Sequence, residues 1–229
     1  MWYNHQMQRK EPLEVDETYH LMNKSIAGYK IFNSDDDYQR MLRAIVYFSI
    51  ADQLPKFSYF LKRSGRDSTT FEACLNQYFP KPKRLVQIIA YCLMPTHLHI
   101  VLKPLRKDGA TKVIGNVLNS YARYFNTKHN RLGPLWAGRF KNIMVKSDEQ
   151  LWHLTRYVHL NPVSAQIVKK AEDWPYSSYF EYITPSKVKR PLCQYRDFMD
   201  VRPRSYQKFV EDQADYQRKL AQIKDLILE

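Results

Sequence analysis

Two apolar runs separated by two residues constrain this chain more than any other feature. Leu85 to Met94 reads LVQIIAYCLM, and His97 to Pro104 reads HLHIVLKP. Both are rich in aliphatic and β-branched residues, which suits buried strands. The Pro95-Thr96 link between them has room only for a tight reversal, so the two runs are expected to be antiparallel neighbours. The rest of the chain must pack around that hairpin.

Upstream, Thr18 to Ile26 (TYHLMNKSI) alternates loosely and reads as a first strand. Ser34 precedes Asp35, Asp36 and Asp37, an N-cap followed by acids that favour the helix dipole. Tyr38, Met41, Leu42, Ile45 and Val46 then recur at helical spacing, with an end expected near Asp52. Gln53 to Arg84 carries Pro55, Pro80, Pro82 and a turn at Gly65, and reads as an insertion with a short helix around Phe71 to Tyr78.

Downstream of the hairpin, Thr111 to His129 presents Val113, Ile114, Val117, Leu118, Tyr121 and Phe125 on one helix face. A basic loop from Asn130 to Gly138 leads to a strand at Phe140 to Lys146. Ser147 and Gln150 fit a capping box opening a further helix, with Leu151, Leu154 and Val158 as its buried stripe. Pro162 is expected to stop that helix at Asn161.

Strand, helix, strand, strand, helix, strand and an added helix make an α+β fold, a ferredoxin-like βαββαβ antiparallel sheet. One domain is expected over residues 1–184, with the insertion at about 53–84. Residues 185–229 form a helical C-terminal extension. There Phe209, Tyr216, Leu220 and Ile223 are spaced to pack within Ser205 to Leu228.

The net charge is +13, and its placement is uneven. Between Val101 and Lys146 stand ten basic residues and one acid, Asp108, so this stretch holds most of the excess. Such a concentration attracts phosphate backbones. Tyr121, Tyr124, Phe125, Trp136 and Phe140 lie among these cations, the mixture with which proteins grip single strands. Arg123, Lys128, Arg131, Arg139 and Lys141 are the candidate DNA-binding residues. Three scattered cysteines without a C-x-x-C pattern suit a reducing compartment. Met1 to Lys10 is polar and mixed, and no run is long and apolar enough for a bilayer. The expected location is cytoplasmic, with no membrane partner.

On a strand, His97 and His99 point to one face while Leu98 and Ile100 point to the other. Two imidazoles so placed suit one metal ion. Tyr157 and Asn161, four residues apart near the end of a helix, share a face. A tyrosine hydroxyl attacks a phosphodiester if a metal polarises the phosphate oxygens, and Asn161 offers a third, oxygen ligand. The donor set accepts Mg²⁺ or Mn²⁺, with imidazole favouring Mn²⁺.

The segment Tyr91 to Leu102 (YCLMPTHLHIVL) resembles the His-hydrophobe-His motif of single-tyrosine transposases. Gly133 to Phe140 (GPLWAGRF), Arg156 to Val163 (RYVHLNPV) and Trp174 to Ser178 (WPYSS) resemble the REP-associated tyrosine transposases. The resemblance implies His97 and His99 as metal ligands, Tyr157 as nucleophile and Asn161 as third ligand. It also implies cutting of single-stranded DNA beside a hairpin, through a 5′-phosphotyrosine link and a free 3′-hydroxyl that rejoins strands. Arg139 and the basic loop would grip the hairpin. A homodimer is left open, because some relatives exchange the tyrosine helix between subunits. The chain departs from the family's usual N-P-V-R-A-G: here Asn161-Pro162-Val163 is followed by Ser164, Ala165 and Gln166.

Three other histidines stand near these positions. His153 is read as a surface or packing residue. His159 should point away from Tyr157. His20, on the first strand, could neighbour the strand of His97 and His99 and touch substrate, though a satisfied structural role is favoured. Trp174, Pro175 and Tyr176 read as a packing turn. The competing readings are a non-catalytic nucleic-acid-binding module with the RNA-recognition layout, a domesticated, non-catalytic hairpin-binding protein, and a water-using phosphodiesterase in which Tyr157 is dispensable.

Overall fold

A computed structural model describes residues 13–52, 55–64, 70–188 and 191–214. Four strands, β1 (Thr18–Lys24), β2 (Val86–Met94), β3 (His97–Pro104) and β4 (Lys141–Val145), form one antiparallel sheet in the order β2-β3-β1-β4. That is the expected ferredoxin-like order. It puts the two strands that carry histidines, β3 and β1, at the centre.

The register fixes which side chains meet. Met22 lies opposite His99 and Lys24 opposite His97, while Leu21 lies opposite Ile100 and Asn23 opposite Leu98. His20, Met22, Lys24, His97 and His99 therefore share one face, and Tyr19, Leu21, Leu98, Ile100 and Leu102 share the other. The second set is buried beneath α1 (Asp35–Phe48) and α4 (Gly109–Lys128), which pack on each other. Across the histidine face lies α5 (Asp148–Ser164), packed mainly over β2.

The caps follow the sequence with one change. Ser147 Oγ accepts from the Gln150 N–H at 3.1 Å, and Gln150 Oε1 accepts from the Lys146 N–H at 2.7 Å. At α1 the expected cap Ser34 makes no side-chain cap bond. Asp37 instead reaches back to the Asn33 N–H at 2.9 Å.

Three expectations need correction or completion. First, α5 does not stop at Asn161 but runs through Pro162 to Ser164. A proline this close to a helix end removes only one late hydrogen bond, and the exit turn still closes from Ile167 N–H to Pro162 O at 2.9 Å. Second, the insertion holds two helices: α3 (Phe71–Tyr78), as read, and α2 (Phe57–Ser64), which was not. Phe57 and Phe60 anchor α2 by packing on Tyr47 at 5.0 and 4.9 Å between ring centroids. Third, the extension is laid back on the domain. α6 (Tyr179–Ile183) and α7 (Pro203–Glu211) pack together, and α7 also touches α5. Gly65, Tyr216, Leu220 and Ile223 lie outside the described residues.

Backbone from this later part of the chain also lines the outer edge of β2. Leu93 N–H donates to Tyr176 O, Ser178 N–H to Tyr91 O, and Gln194 N–H to Ile88 O, at 2.8–2.9 Å. Among the described residues no helix is long and apolar enough to cross a membrane.

Candidate active site

A cleft of about 830 Å³ opens on the histidine face of the sheet. Its walls include Lys24, His97, His99, Arg139, Lys141, Tyr157 and Asn161. Three of these are cations, and among the described residues no carboxylate lines it. A cleft of that sign concentrates an anionic ligand.

β3 presents His97 and His99 with ring centroids 5.1 Å apart and planes nearly perpendicular. Each engages Nδ1: His97 with Thr96 Oγ at 3.0 Å, and His99 with His20 Nε2 at 2.9 Å. The nitrogen left for a metal is then Nε2 on both rings. Burial pushes His99 well below its ordinary pKa, with His20 and His97 adding to the shift. Burial lowers His97 too, aided by the nearby Lys24 charge, and brings His20 down to about 4. All three are neutral near pH 7, the form in which imidazole binds a metal.

α5 carries Tyr157 over this pair. Its ring stands edge-on to His99 at 5.7 Å and to His20 at 6.2 Å, yet it is 44% exposed. Partial burial raises its pKa, while a hydrogen bond from Asn161 opposes the rise. The phenol is therefore protonated near neutral pH and needs help to attack. Asn161 also donates to Tyr157 O at 2.9 Å, which engages its amide nitrogen along the helix and leaves its oxygen as the end that could meet a cation. Among the described residues no three His, Cys, Asp or Glu side chains converge as a metal set. Two imidazoles and an amide oxygen nevertheless fit a hard or borderline divalent ion that keeps open positions.

The buried side of α5 holds it in place. His159 is fully buried and pairs with Tyr206 Oη and Ser178 Oγ, both at 2.8 Å. It points away from Tyr157, as read.

Comparison with known proteins bears on this arrangement. Residues 64–161, which include both histidines, Tyr157 and Asn161, match the family model described as Transposase IS200 like. A REP-associated tyrosine transposase of Escherichia coli is 24% identical over 100 residues. A Haemophilus influenzae protein provisionally named for the same family is 26% identical over 103. Over this part of its length the chain is similar to the REP-associated tyrosine transposases.

The Escherichia coli match takes in 43% of this chain and the Haemophilus influenzae match 41%, and the chain spans 58% of each relative's length. A solved structure of a REP-associated tyrosine transposase bound to a REP hairpin shares the fold, with a TM-score of 0.51 at 17% identity. That match covers 84% of this chain and 93% of the other.

The five candidate DNA-binding residues divide among three places. Arg139 and Lys141 line the cleft with Tyr157. Arg123 and Lys128 line a second cleft of about 870 Å³, between α4, α1 and the insertion, with Arg40, Lys56 and Lys112. There Lys128 is paired at 2.7 Å with Asp37, whose side chain is closed to solvent. Burial pushes the Asp37 carboxyl up, but hydrogen bonds from Lys128, the Asn33 N–H and Tyr124 prevail and hold it below the ordinary range. Arg131 ties its loop to the end of α4, donating to Asn126 Oδ1 at 3.0 Å and Pro134 O at 2.7 Å, and lies over the Tyr29 ring at 5.3 Å.

Lys24, in the cleft wall, was missed by sequence reasoning. Its signal is the strand pairing that places it opposite His97. His153 contacts Arg156 and Glu149 on the outer side of α5. Trp174 donates to Leu93 O at 3.0 Å, and Tyr176 stacks on Tyr38 at 3.5 Å, which is packing.

Proposed function

We propose that this chain cuts and rejoins single-stranded DNA beside hairpins, with Tyr157 as the nucleophile. The observation that carries the reading is the placement of Tyr157 edge-on to His99 within one cationic cleft that also holds His97 and Asn161. His97, His99 and Asn161 would hold Mg²⁺ or Mn²⁺, which would polarise the phosphate oxygens. Because these ligands are neutral, the substrate phosphate is left to supply the anionic ligands, so metal and DNA should bind cooperatively.

Lys24, Arg139 and Lys141 would meet the phosphates that flank the scissile one. The Tyr157 oxygen forms a bond to phosphorus as the bond from phosphorus to the 3′-oxygen breaks. The phenolic proton is given up, and the 3′-oxygen leaves as a hydroxyl. The phosphotyrosine stores the diester, so that hydroxyl or another can reverse the step and join strands without ATP. REP-type hairpins are the first substrates to try, since a protein of the same fold is bound to one.

The test incubates labelled single-stranded hairpin DNA with protein and Mn²⁺ or Mg²⁺, followed by a denaturing protein gel. The expected result is a labelled band at the mass of protein plus DNA, absent with Tyr157→Phe or EDTA. Cleavage that survives Tyr157→Phe would instead indicate a water-using phosphodiesterase. Tight hairpin binding without adduct or cleavage would indicate a domesticated binding protein.

A further inference from the structure

His20 lies 79 residues before His99 in sequence, yet their rings are joined in the sheet. His20 Nε2 and His99 Nδ1 stand 2.9 Å apart, and both side chains are about 95% buried. The ring planes differ by 19° and the centroids are 5.1 Å apart. The centroid separation exceeds the nitrogen separation by about one ring diameter, so the two nitrogens face each other along the line between the rings. A metal on that line would lie about 1.5 Å from each nitrogen, well inside the roughly 2.1 Å that a metal–imidazole bond needs. The contact is therefore a hydrogen bond and not half of a chelate.

Two bare nitrogens at this distance would repel, and two protonated ones would collide, so the pair shares one proton. If the proton sits on His20 Nε2, the neutral His99 ring must carry its own proton on Nε2 and cannot ligate. If it sits on His99 Nδ1, the Nε2 lone pair of His99 is free for the cleft. We propose that His20 is the positioning residue for His99: it accepts the Nδ1 proton, fixes the ring plane and keeps Nε2 ready to bind metal. The role is the one usually filled by a carboxylate or backbone carbonyl behind a metal-bound histidine. This inference rests on the reading of His97 and His99 as metal ligands.

The register supports it. His20 pairs across β3 with Val101 and across β4 with Ile143, so apolar neighbours flank it in its row of the sheet. Its partner His99 sits one pair further along the same face, opposite Met22.

The test measures Mn²⁺ binding by the electron spin resonance of free Mn²⁺, in the presence of an uncleavable hairpin oligonucleotide. Wild type is compared with His20→Phe, which keeps a ring but no acceptor, His20→Gln, which restores an acceptor oxygen, and His99→Ala. His20→Phe should weaken binding about 10–100-fold, the usual cost of losing such a partner, and His20→Gln should recover most of it. Equal affinity of wild type and His20→Phe overturns the proposal while leaving the metal site intact. Equal affinity of wild type and His99→Ala overturns the metal site itself, and the proposal with it. A readout independent of variants is ¹⁵N NMR of the metal-free protein. His99 should carry its proton on Nδ1, and a proton found on Nε2 overturns the assignment.

Discussion

At the residue scale, the exit from α5 shows why one departure from the family pattern matters. Gln166 takes φ 55°, in the left-handed region. Its N–H donates to Val163 O at 3.0 Å while Ile167 N–H donates to Pro162 O, a helix end that ordinarily uses glycine at this position. The glycine that the resembled family's usual motif carries at this position has a backbone reason here. Gln166→Gly should stabilise the protein by roughly 1 kcal/mol, an increase of about 2–4 °C in Tm. Calorimetry that shows no gain would mean the strain is relieved elsewhere. At this scale the placement of the candidate residues was readable: alternation puts His97 and His99 on one face, and four-residue spacing pairs Tyr157 with Asn161. Lys24 was not, and His20 was read only as a possible neighbour, because their contacts with β3 depend on a pairing between distant strands that local periodicity does not encode.

At the element scale, α5 carries Tyr157 and Asn161, and His159 is what fastens it. Burial lowers its pKa from 6.5 to about 3. The unfolded chain therefore takes up a proton below pH 6.5 that the folded chain refuses, so stability is full above that value and is lost as pH falls toward 3. At pH 5 the loss from this one residue is roughly 2 kcal/mol. Urea unfolding at pH 7 and pH 5 should show a smaller drop for His159→Gln than for wild type, although His20, His97 and His99 contribute in the same direction in both proteins. Equal drops would mean that His159 is not the titrating group. Helix boundaries were less readable than helix identities. Pro162 looked like a stop, but its position in the last turn made it harmless. The FSYFLKRS segment had helical spacing at Phe57, Phe60 and Leu61, masked by the proline-rich composition around it.

At the scale of the whole molecule, the tyrosine helix is clamped by its own chain. α7 places Tyr206 on His159, α6 follows Ser178, and Arg156 lies 4.2 Å from the Phe209 ring. Lending α5 to a second copy would require opening that clamp. Mixing Tyr157→Phe protein with His99→Ala protein should therefore form no DNA adduct, since neither chain holds both halves of the site. Recovery of the adduct in the mixture would show that the helix is exchanged after all. The sheet order was readable because a two-residue hairpin and two helical crossovers leave few alternatives, whereas the folding back of the extension was not, since its partners lie far apart in sequence. That fold-back has a consequence for the protein at high concentration. A terminal strand normally offers a row of unpaired amides on which foreign strands can nucleate. On β2 the amide of Leu93 and the carbonyls of Ile88 and Tyr91 are already taken by residues 176, 178 and 194. The longest strand of a very aromatic protein is thereby denied to amyloid-like growth, and truncation before residue 176 would expose it.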